Sequence, residues 1–155
     1  MITLGDHLRK DLFLVNLAPK NKREALQNLT QQLKELDCLA DASKLLQSLL
    51  EREAIKSTGV GHGIAVPHTN SEDLQDTIVC IALIPEGMEY DALDNQPVYV
   101  IFLLVGPETN RNLHLQLLAK ISRIVTQTDC LAQLRKATDA NQVYQTLISA
   151  EEELA

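Results

Sequence analysis

Tryptophan is absent from the sequence, and all aromatic residues together make up only 3% of it. Basic residues are in the minority, since the formal charge is −7 at pH 7 and the 14 lysines and arginines form no dense cluster. Surfaces that bind nucleic acid neutralise phosphates with basic side chains, and many stack bases on aromatic rings. We therefore expect no nucleic acid among the partners of this protein.

Long hydrophobic runs are missing as well. No stretch reaches about 18 apolar residues, the length that a helix needs to cross a bilayer. Residues 1–7 lack the basic start and the apolar middle of a signal peptide. The sequence therefore predicts a cytoplasmic protein with no segment inserted into a membrane.

The sequence contains only three cysteines. Cys38, Cys80 and Cys130 are odd in number, lie far apart and form no Cys-x-x-Cys pair. Such spacing indicates neither a set of disulfides nor a thiolate zinc site. We expect the three thiols to be reduced and mostly buried.

The apolar fraction of 45% in 155 residues is enough for one sizeable core. We expect one domain over residues 1–155, with its core at about residues 5–149. Apolar runs and helical periodicity predict strands at 13–17, 64–66, 77–84 and 98–105, and helices at about 19–36, 41–55, 110–125, 129–137 and 141–149. The three glutamates at 151–153 are expected to form a frayed tail.

Strands that alternate with helices predict an α/β fold, with a central sheet between helices on both faces. Residues 77–84 and 98–105 are almost continuously apolar, which is typical of central strands covered on both sides. About a dozen residues without helical periodicity join them. A hairpin-like, antiparallel pairing therefore stays open beside a parallel one.

Three of the four histidines lie where a predicted strand ends or a helix starts, the usual place for a site in an α/β protein. His68 is the candidate nucleophile, because a neutral imidazole attacks well near pH 7 when its other nitrogen is held as a donor. Arg52, at the end of a helix, offers a planar set of donors to a phosphoryl group. His114, in the first turns of a later helix, is a candidate for a further donor.

The segment between Arg52 and His68 is rich in glycine and hydroxyl groups. Its side chains and backbone N–H groups are candidates for the surroundings of a phosphate. Gly63 and its neighbours also leave room for a partner protein to bring a phosphorylated side chain close to His68. The candidates in this segment are Ser57, Thr58, Gly61 and Gly63.

Three motifs in order along the chain carry a resemblance to a known family. They are Arg52-Glu53 with Ser57-Thr58-Gly59-Val60-Gly61-His62-Gly63-Ile64-Ala65-Val66-Pro67-His68, then Asp91-Ala92-Leu93-Asp94-Asn95-Gln96-Pro97-Val98, then His114-Leu115 through Leu118-Ala119. Together they resemble the fructose/mannitol-type enzyme IIA domain of the bacterial phosphotransferase system. Asn95 stands where many relatives have glycine, which a turn permits. His62 lies at a position that varies in the family.

The resemblance implies a fold, a chemistry and a set of partners. The fold is a mixed five-stranded sheet between helices. His68 is implied as the residue phosphorylated on Nε2, with His114 as the supporting histidine and Arg52 steadying the phosphoryl group. The implied donor is a histidine phosphocarrier protein, and the reversible transfer requires neither a metal nor an organic cofactor.

Two kinds of family member fit the chain. We expect a free-standing domain without an attached IIB or IIC region, which resembles nitrogen-regulatory members and some sugar-specific ones. Leu134-Arg135-Lys136-Ala137 and Val143-Tyr144 are similar to the closing segment of nitrogen-regulatory IIA proteins, which favours the first kind. A regulatory protein of this kind acts on targets such as a potassium transporter or a sensor kinase. The alternative is a sugar-specific IIA component that passes phosphate to a IIB domain.

Other interpretations of the same residues stay open. Periodicity alone favours His114 as a hydrogen-bonded core residue, and places His62 and His7 toward solvent. Another alternative is a metal site built from His62, His68, His114 and a carboxylate such as Glu53. A third is a regulator that only docks to its partners and transfers no phosphate.

Overall fold

A six-stranded mixed sheet forms the centre of the computed structural model, which describes residues 2–155. The strands are β1 (Leu8–Leu14), β2 (Gly59–Gly61), β3 (Ile64–Ala65), β4 (His68–Asn70), β5 (Ile78–Met88) and β6 (Val98–Gly106). Their order is β1-β5-β6-β3-β2, and β4 also pairs with β6. The predicted mixed α/β architecture is confirmed.

β3 and β4 are two parts of one line of chain along the same edge of β6. Ile64 pairs with Val100 and His68 with Leu104, both in parallel register. Pro67 lies between the two strands, and its carbonyl still accepts a bond of 3.0 Å from Leu104 N. Since proline has no N–H to donate, it interrupts the strand just before His68 without moving it off the sheet.

The two long strands β5 and β6 pair antiparallel, with Ile78 opposite Val105 and Leu83 opposite Val100. The hairpin-like pairing is thus the correct one of the two that the sequence left open. In the connection between them, Asn95 has a φ of 59°. Asparagine tolerates this left-handed conformation better than most residues, as the turn interpretation required.

Helices cover both faces of the sheet. They are α1 (Lys22–Glu35), α2 (Ala42–Ile55), α3 (Arg111–Gln127), α4 (Cys130–Leu134) and α5 (Ala140–Glu153). Along β5, Cys80, Ala82 and Ile84 face the leucines of α1 and α2, while Val79, Ile81 and Leu83 face α3 to α5. This double burial explains the uninterrupted apolar run, because successive strand residues point to opposite faces.

Side chains set the starts of three helices. Asn21, Asp41 and Asp139 each accept a backbone N–H from the first turn of α1, α2 and α5, at 2.8, 3.2 and 2.8 Å. These caps satisfy N–H groups that have no partner within the helix. The first helix therefore starts at Lys22 rather than near Pro19.

The first strand and the loop before His68 also differ from prediction. β1 begins at Leu8, earlier than residue 13, because Leu8 and Leu12 are buried, and it ends before Asn16, whose φ is 58°. Within the predicted loop, Gly59–Gly61 forms β2, antiparallel to β3. A short strand of this kind is missed when strands are predicted from apolar runs, because glycine contributes no side chain to the pattern.

The predicted acidic tail is wrong. α5 continues to Glu153, and the Glu151 carboxylate accepts backbone N–H groups of Leu4 and Gly5 at 2.5 and 3.3 Å. Lys120 lies 3.5 Å from the same carboxylate. Glu151 thereby ties the end of the last helix to the start of the chain.

All three cysteines are buried and free, as expected. Over residues 2–155, no helix combines the length and the apolar character that crossing a bilayer requires.

Candidate functional site

His68 is the first residue of β4, directly after Pro67, and its side chain is half-buried. Its Nδ1 lies 2.9 Å from the carbonyl oxygen of Val66. A carbonyl oxygen can only accept, so in the neutral ring Nδ1 carries the hydrogen and Nε2 keeps a free lone pair. Within residues 2–155 Nε2 has no hydrogen-bond partner, and no buried side-chain nitrogen there lacks one, so Nε2 is open to solvent.

A chain of hydrogen bonds holds the Val66 carbonyl in place. Val66 N donates to Thr58 O at 2.9 Å. Thr58 in turn donates its N–H to Glu53 Oε1 at 3.0 Å and its hydroxyl to Glu53 Oε2. The buried Glu53 thus supports the anchor of His68 through two intermediate residues.

Lys22 completes the surroundings of Glu53. Its Nζ lies 3.1 Å from Glu53 Oε1 and 4.5 Å from the centre of the Tyr90 ring. The Tyr90 hydroxyl is 3.3 Å from the Thr58 hydroxyl, and burial together with the Glu53 charge raises the pKa of Tyr90. Glu53 is therefore a paired structural carboxylate, a role that its place beside Arg52 in the sequence does not reveal.

His68 opens onto a cleft of about 330 Å³ between the end of α2, the β2–β3 region and α3. The cleft is lined by Arg52, Lys56, Ser57, Thr58, Val60, Ile64, Val66, His68, Leu93, Leu118 and Ser122. Two of these side chains are basic and none is acidic. The cleft therefore favours an anionic group next to the imidazole.

Arg52 lies in the last turn of α2, and its Nη1 donates to the Lys56 carbonyl at 2.9 Å. This bond holds the guanidinium across the end of its own helix. An arginine side chain has five N–H donors, so the N–H groups that do not bond to Lys56 can donate to oxygen atoms in the cleft. Arg52 and His68 line the same cleft.

His114 lies in the first turn of α3 and is only 5% exposed. Its Nε2 is 2.9 Å from the Thr77 hydroxyl. Burial lowers the pKa of His114, and the nearby charges of His68 and His7 lower it further. His114 is therefore neutral at pH 7 and within electrostatic range of His68, although it does not line the cleft.

The two hydroxyl residues of the segment before His68 both lie at the cleft. Ser57 lines the cleft, where its hydroxyl donates to Tyr90 O at 3.3 Å and accepts from Gly59 N at 3.0 Å. Thr58 also lines it, but its hydroxyl already donates to Glu53. Both residues reach the predicted location, and each hydroxyl already donates its proton within the protein.

Gly61 and Gly63 do not line the cleft. Their φ values are +94° and +81°, which glycine adopts without strain. A Cβ at Gly61 would lie 3.2 Å from the Asp94 carboxylate, and one at Gly63 would lie 3.1 Å from Leu131. These glycines therefore serve a tight turn and close packing.

The remaining histidines lie apart from the cleft. His62 is exposed, as expected, with a φ of 59°. His7 was expected in solvent, which is wrong, because it is half-buried and its Nδ1 donates to Thr77 O at 2.8 Å.

The alternative metal site lacks its carboxylate. Both oxygens of Glu53 already accept bonds from Lys22 and Thr58. Among residues 2–155, no three His, Cys, Asp or Glu side chains come together in a way that could hold a metal ion.

Known proteins resemble this chain over most of its length. Residues 6–150 match the family described as phosphoenolpyruvate-dependent sugar phosphotransferase system, EIIA 2. A nitrogen regulatory protein of Pseudomonas aeruginosa is 31% identical over 151 residues, which cover 97% of this chain and 98% of the relative. A fructose-specific EIIA component of the phosphotransferase system of Haloferax volcanii is 30% identical over 137 residues, covering 88% and 89% of the two chains.

The fold has close counterparts among solved structures. The nitrogen regulatory protein IIA-Ntr of Neisseria meningitidis superposes with a TM-score of 0.84 at 25% identity, covering 93% of this chain and 98% of that one. The Escherichia coli enzyme IIA of mannitol in complex with phosphorylated enzyme IIB gives a TM-score of 0.75 at 19% identity, covering 92% and 99%. With a family match over residues 6–150, the chain belongs to the EIIA type-2 family of the phosphoenolpyruvate-dependent sugar phosphotransferase system and is a phosphoryl carrier of that system.

Proposed function

We propose that His68 carries the phosphoryl group on Nε2, taking it from a phosphohistidine of a carrier protein and passing it on reversibly. The observation that carries this proposal is the 2.9 Å contact between His68 Nδ1 and the Val66 carbonyl. It fixes the hydrogen on Nδ1 and leaves the lone pair on Nε2, at the mouth of a basic cleft. A nucleophile held in one tautomer needs no rearrangement before attack.

The proposed transfer conserves atoms and protons without a separate general acid or base. The bond from Nε2 of His68 to phosphorus forms while the bond from phosphorus to the donor's ring nitrogen breaks. Each ring keeps the hydrogen on its other nitrogen, so the donor leaves as a neutral imidazole. Positioning and charge compensation are then the main tasks of the protein.

Positive charge near the transferring group comes from the cleft. Arg52 and Lys56 line the same cleft as His68. The three equatorial oxygens of a phosphoryl group in transfer carry the charge that these donors compensate. Arg52 is proposed as the stabiliser of the phosphoryl group and His114 as the supporting histidine.

The rim of the cleft suits a protein as donor. Val60 and Leu93 line the cleft and are 42% and 56% exposed. Apolar side chains exposed around a polar centre are typical of protein interaction sites. We propose a histidine phosphocarrier protein as the partner that binds there.

The nitrogen-regulatory role is the proposed specialisation. The match to the Pseudomonas aeruginosa nitrogen regulatory protein spans 97% of this chain. We propose a potassium transporter or a sensor kinase as the target. The second candidate is a sugar-specific component that donates to a IIB domain. The match to a fructose-specific EIIA component over 88% of the chain favours it.

Labelled phosphate tests the carrier role. Phosphoenolpyruvate, purified enzyme I and its histidine carrier protein are incubated with the chain, with a His68→Ala variant and with a His62→Asn variant as control. We expect acid-labile, base-stable label on the wild type and on His62→Asn, and none on His68→Ala. Label on His68→Ala would refute the role of His68, and no label on any chain would favour a docking-only regulator.

Addition of a fructose-type IIB domain to the labelled chain separates the two specialisations. Loss of the label to that domain within the time of a carrier reaction would support the sugar-specific role. Retention of the label would support the regulatory one.

A further inference from the structure

Thr77 links three groups around the supporting histidine. It immediately precedes β5 and is 1% exposed. Its hydroxyl oxygen lies 2.9 Å from His114 Nε2 and 3.0 Å from Asn110 Nδ2. Its backbone carbonyl accepts a bond of 2.8 Å from His7 Nδ1. A buried threonine with this many polar neighbours does more than fill space.

Counting protons determines the direction of each bond. The amide nitrogen of Asn110 also lies 3.2 Å from Asp76 Oδ1, which can only accept, so this nitrogen is a donor toward Thr77 as well. The Thr77 oxygen therefore accepts from Asn110, and its own proton needs an acceptor. Of the two side-chain partners, only His114 Nε2 can accept it.

The consequence for His114 is a single tautomer. When the Thr77 hydroxyl donates to Nε2, the hydrogen of the neutral ring must be on Nδ1. Burial keeps the ring neutral by lowering its pKa, with His68 and His7 adding to the effect. Nδ1 has no partner within residues 2–155, and no buried side-chain nitrogen there is left without one, so the Nδ1–H reaches solvent.

Gly106 shows that the contact depends on close packing. It is the last residue of β6, two positions after Leu104, which pairs with His68. A Cβ at Gly106 would collide with the Thr77 hydroxyl and lie 3.0 Å from His114 Nε2. Only a residue without a side chain lets the end of β6 lie against this pair.

We propose that Thr77 is a positioning residue for phosphoryl transfer, whose hydroxyl holds His114 in the Nδ1–H tautomer, so that the supporting histidine offers a ring N–H, rather than a lone pair, at its unpaired nitrogen. The tautomer follows from the hydrogen bonds alone. Its use in transfer rests on the proposed function of His68.

Nitrogen-15 NMR of the unphosphorylated full chain tests the tautomer without any transfer assay. In the wild type and in Thr77→Ser, we expect His114 Nδ1 to show the shift of a protonated nitrogen and Nε2 that of an unprotonated one. In Thr77→Val, Nε2 loses its donor, and the ring should change to a mixture of tautomers. A wild-type ring protonated on Nε2 would overturn the proposal.

A second buried threonine supplies the control for folding and packing. Thr30 is also 1% exposed, and its hydroxyl donates to Gln27 O within α1. Thr30→Val should keep the wild-type His114 tautomer. His68 in Thr77→Val should also keep its own Nδ1–H signal, which shows that the fold at the site is intact.

Transfer kinetics test the use of the tautomer. Loss of one hydrogen bond of about 1 kcal/mol corresponds to roughly a five- to tenfold lower rate constant for transfer to His68 in Thr77→Val. The donor concentration at half-maximal rate should stay unchanged, and Thr77→Ser should restore the rate. An altered tautomer with a wild-type rate would refute the role in transfer. No transfer to the wild type itself would instead count against the function proposed for His68.

Discussion

The two histidines of the site are held by different kinds of group. His68 donates through Nδ1 to a main-chain carbonyl, that of Val66. His114 faces a side-chain hydroxyl, that of Thr77, through Nε2. A carbonyl oxygen can only accept, whereas a hydroxyl can donate or accept, so only the first contact fixes a tautomer by itself. The second requires Asn110 to occupy the accepting side of the hydroxyl.

Because of this difference, the two anchors respond differently to substitution. The anchor of the nucleophile belongs to the backbone and cannot be removed by replacing Val66. Its weak point lies further back, at the Glu53 carboxylate that holds Thr58 and through it Val66. The anchor of the supporting histidine belongs to side chains and is open to direct substitution. Each anchor can therefore be disturbed while the other stays in place.

The largest effect is expected for Glu53→Leu. The carboxylate is 4% exposed and accepts from Lys22 and twice from Thr58. Removing one partner of a buried pair and leaving the other groups unsatisfied costs about 3–5 kcal/mol of unfolding free energy. Urea unfolding measures this loss. Transfer to His68 should also slow by at least about tenfold, because the Val66 carbonyl loses its support.

Glu51→Leu is the matched control for that change. Glu51 lies on the same helix, is exposed, and accepts a bond from Gln47 in the preceding turn. Its replacement should change the unfolding free energy by no more than about 0.5 kcal/mol. Equal losses in the two variants would show that the support of Val66 by Glu53 is unimportant.

Gly106→Ala disturbs the other anchor. The new methyl group would collide with Thr77 and crowd His114 Nε2. Overpacking of this kind costs about 1–3 kcal/mol, less than the loss of the buried carboxylate. In nitrogen-15 spectra, the His114 ring should lose its single tautomer while His68 keeps the hydrogen on Nδ1.

The neighbouring strand provides a comparison for the glycine. Asn70 pairs with Gly106 across β4 and β6, and its side chain is exposed. Asn70→Ala should leave both histidine signals unchanged. If Gly106→Ala also leaves the His114 signals unchanged, then close packing at the end of β6 does not hold the Thr77 contact.

Much of the fold follows from the sequence by simple rules. Double burial makes β5 and β6 continuously apolar, and Asp41 caps α2 where a helix start is predicted. Hydrophobic periodicity does not reveal features that depend on which parts of the chain contact each other in the fold. The use of Glu151 to bind Leu4 and Gly5 depends on residues far away in the chain, and the chain direction of β6 relative to β5 is known only from the pairing of the two strands.

Some features of the site can likewise be predicted from the sequence, and others cannot. The sequence alone associates Arg52 with His68, because a strand end, a helix end and a glycine-rich segment bring them together both along the chain and in space. It suggests Glu53 only as a metal ligand and Thr77 only as part of a strand. The roles of these two residues depend on which donor faces which acceptor, and a hydroxyl or carboxylate in a sequence gives no sign of its partner.

The smallest effect is expected for His62→Asn, which tests whether proximity in sequence to His68 is enough for a role. His62 is exposed and has a φ of 59°, a conformation that asparagine also tolerates. Neither of its ring nitrogens has a hydrogen-bond partner within residues 2–155, in contrast to His68 and His114. The unfolding free energy should therefore change by less than about 0.5 kcal/mol, and the rate of transfer should stay at the wild-type value. A slower transfer with unchanged stability would mean that an exposed histidine on the loop meets the partner protein directly, and that an anchored ring is not the only kind that contributes.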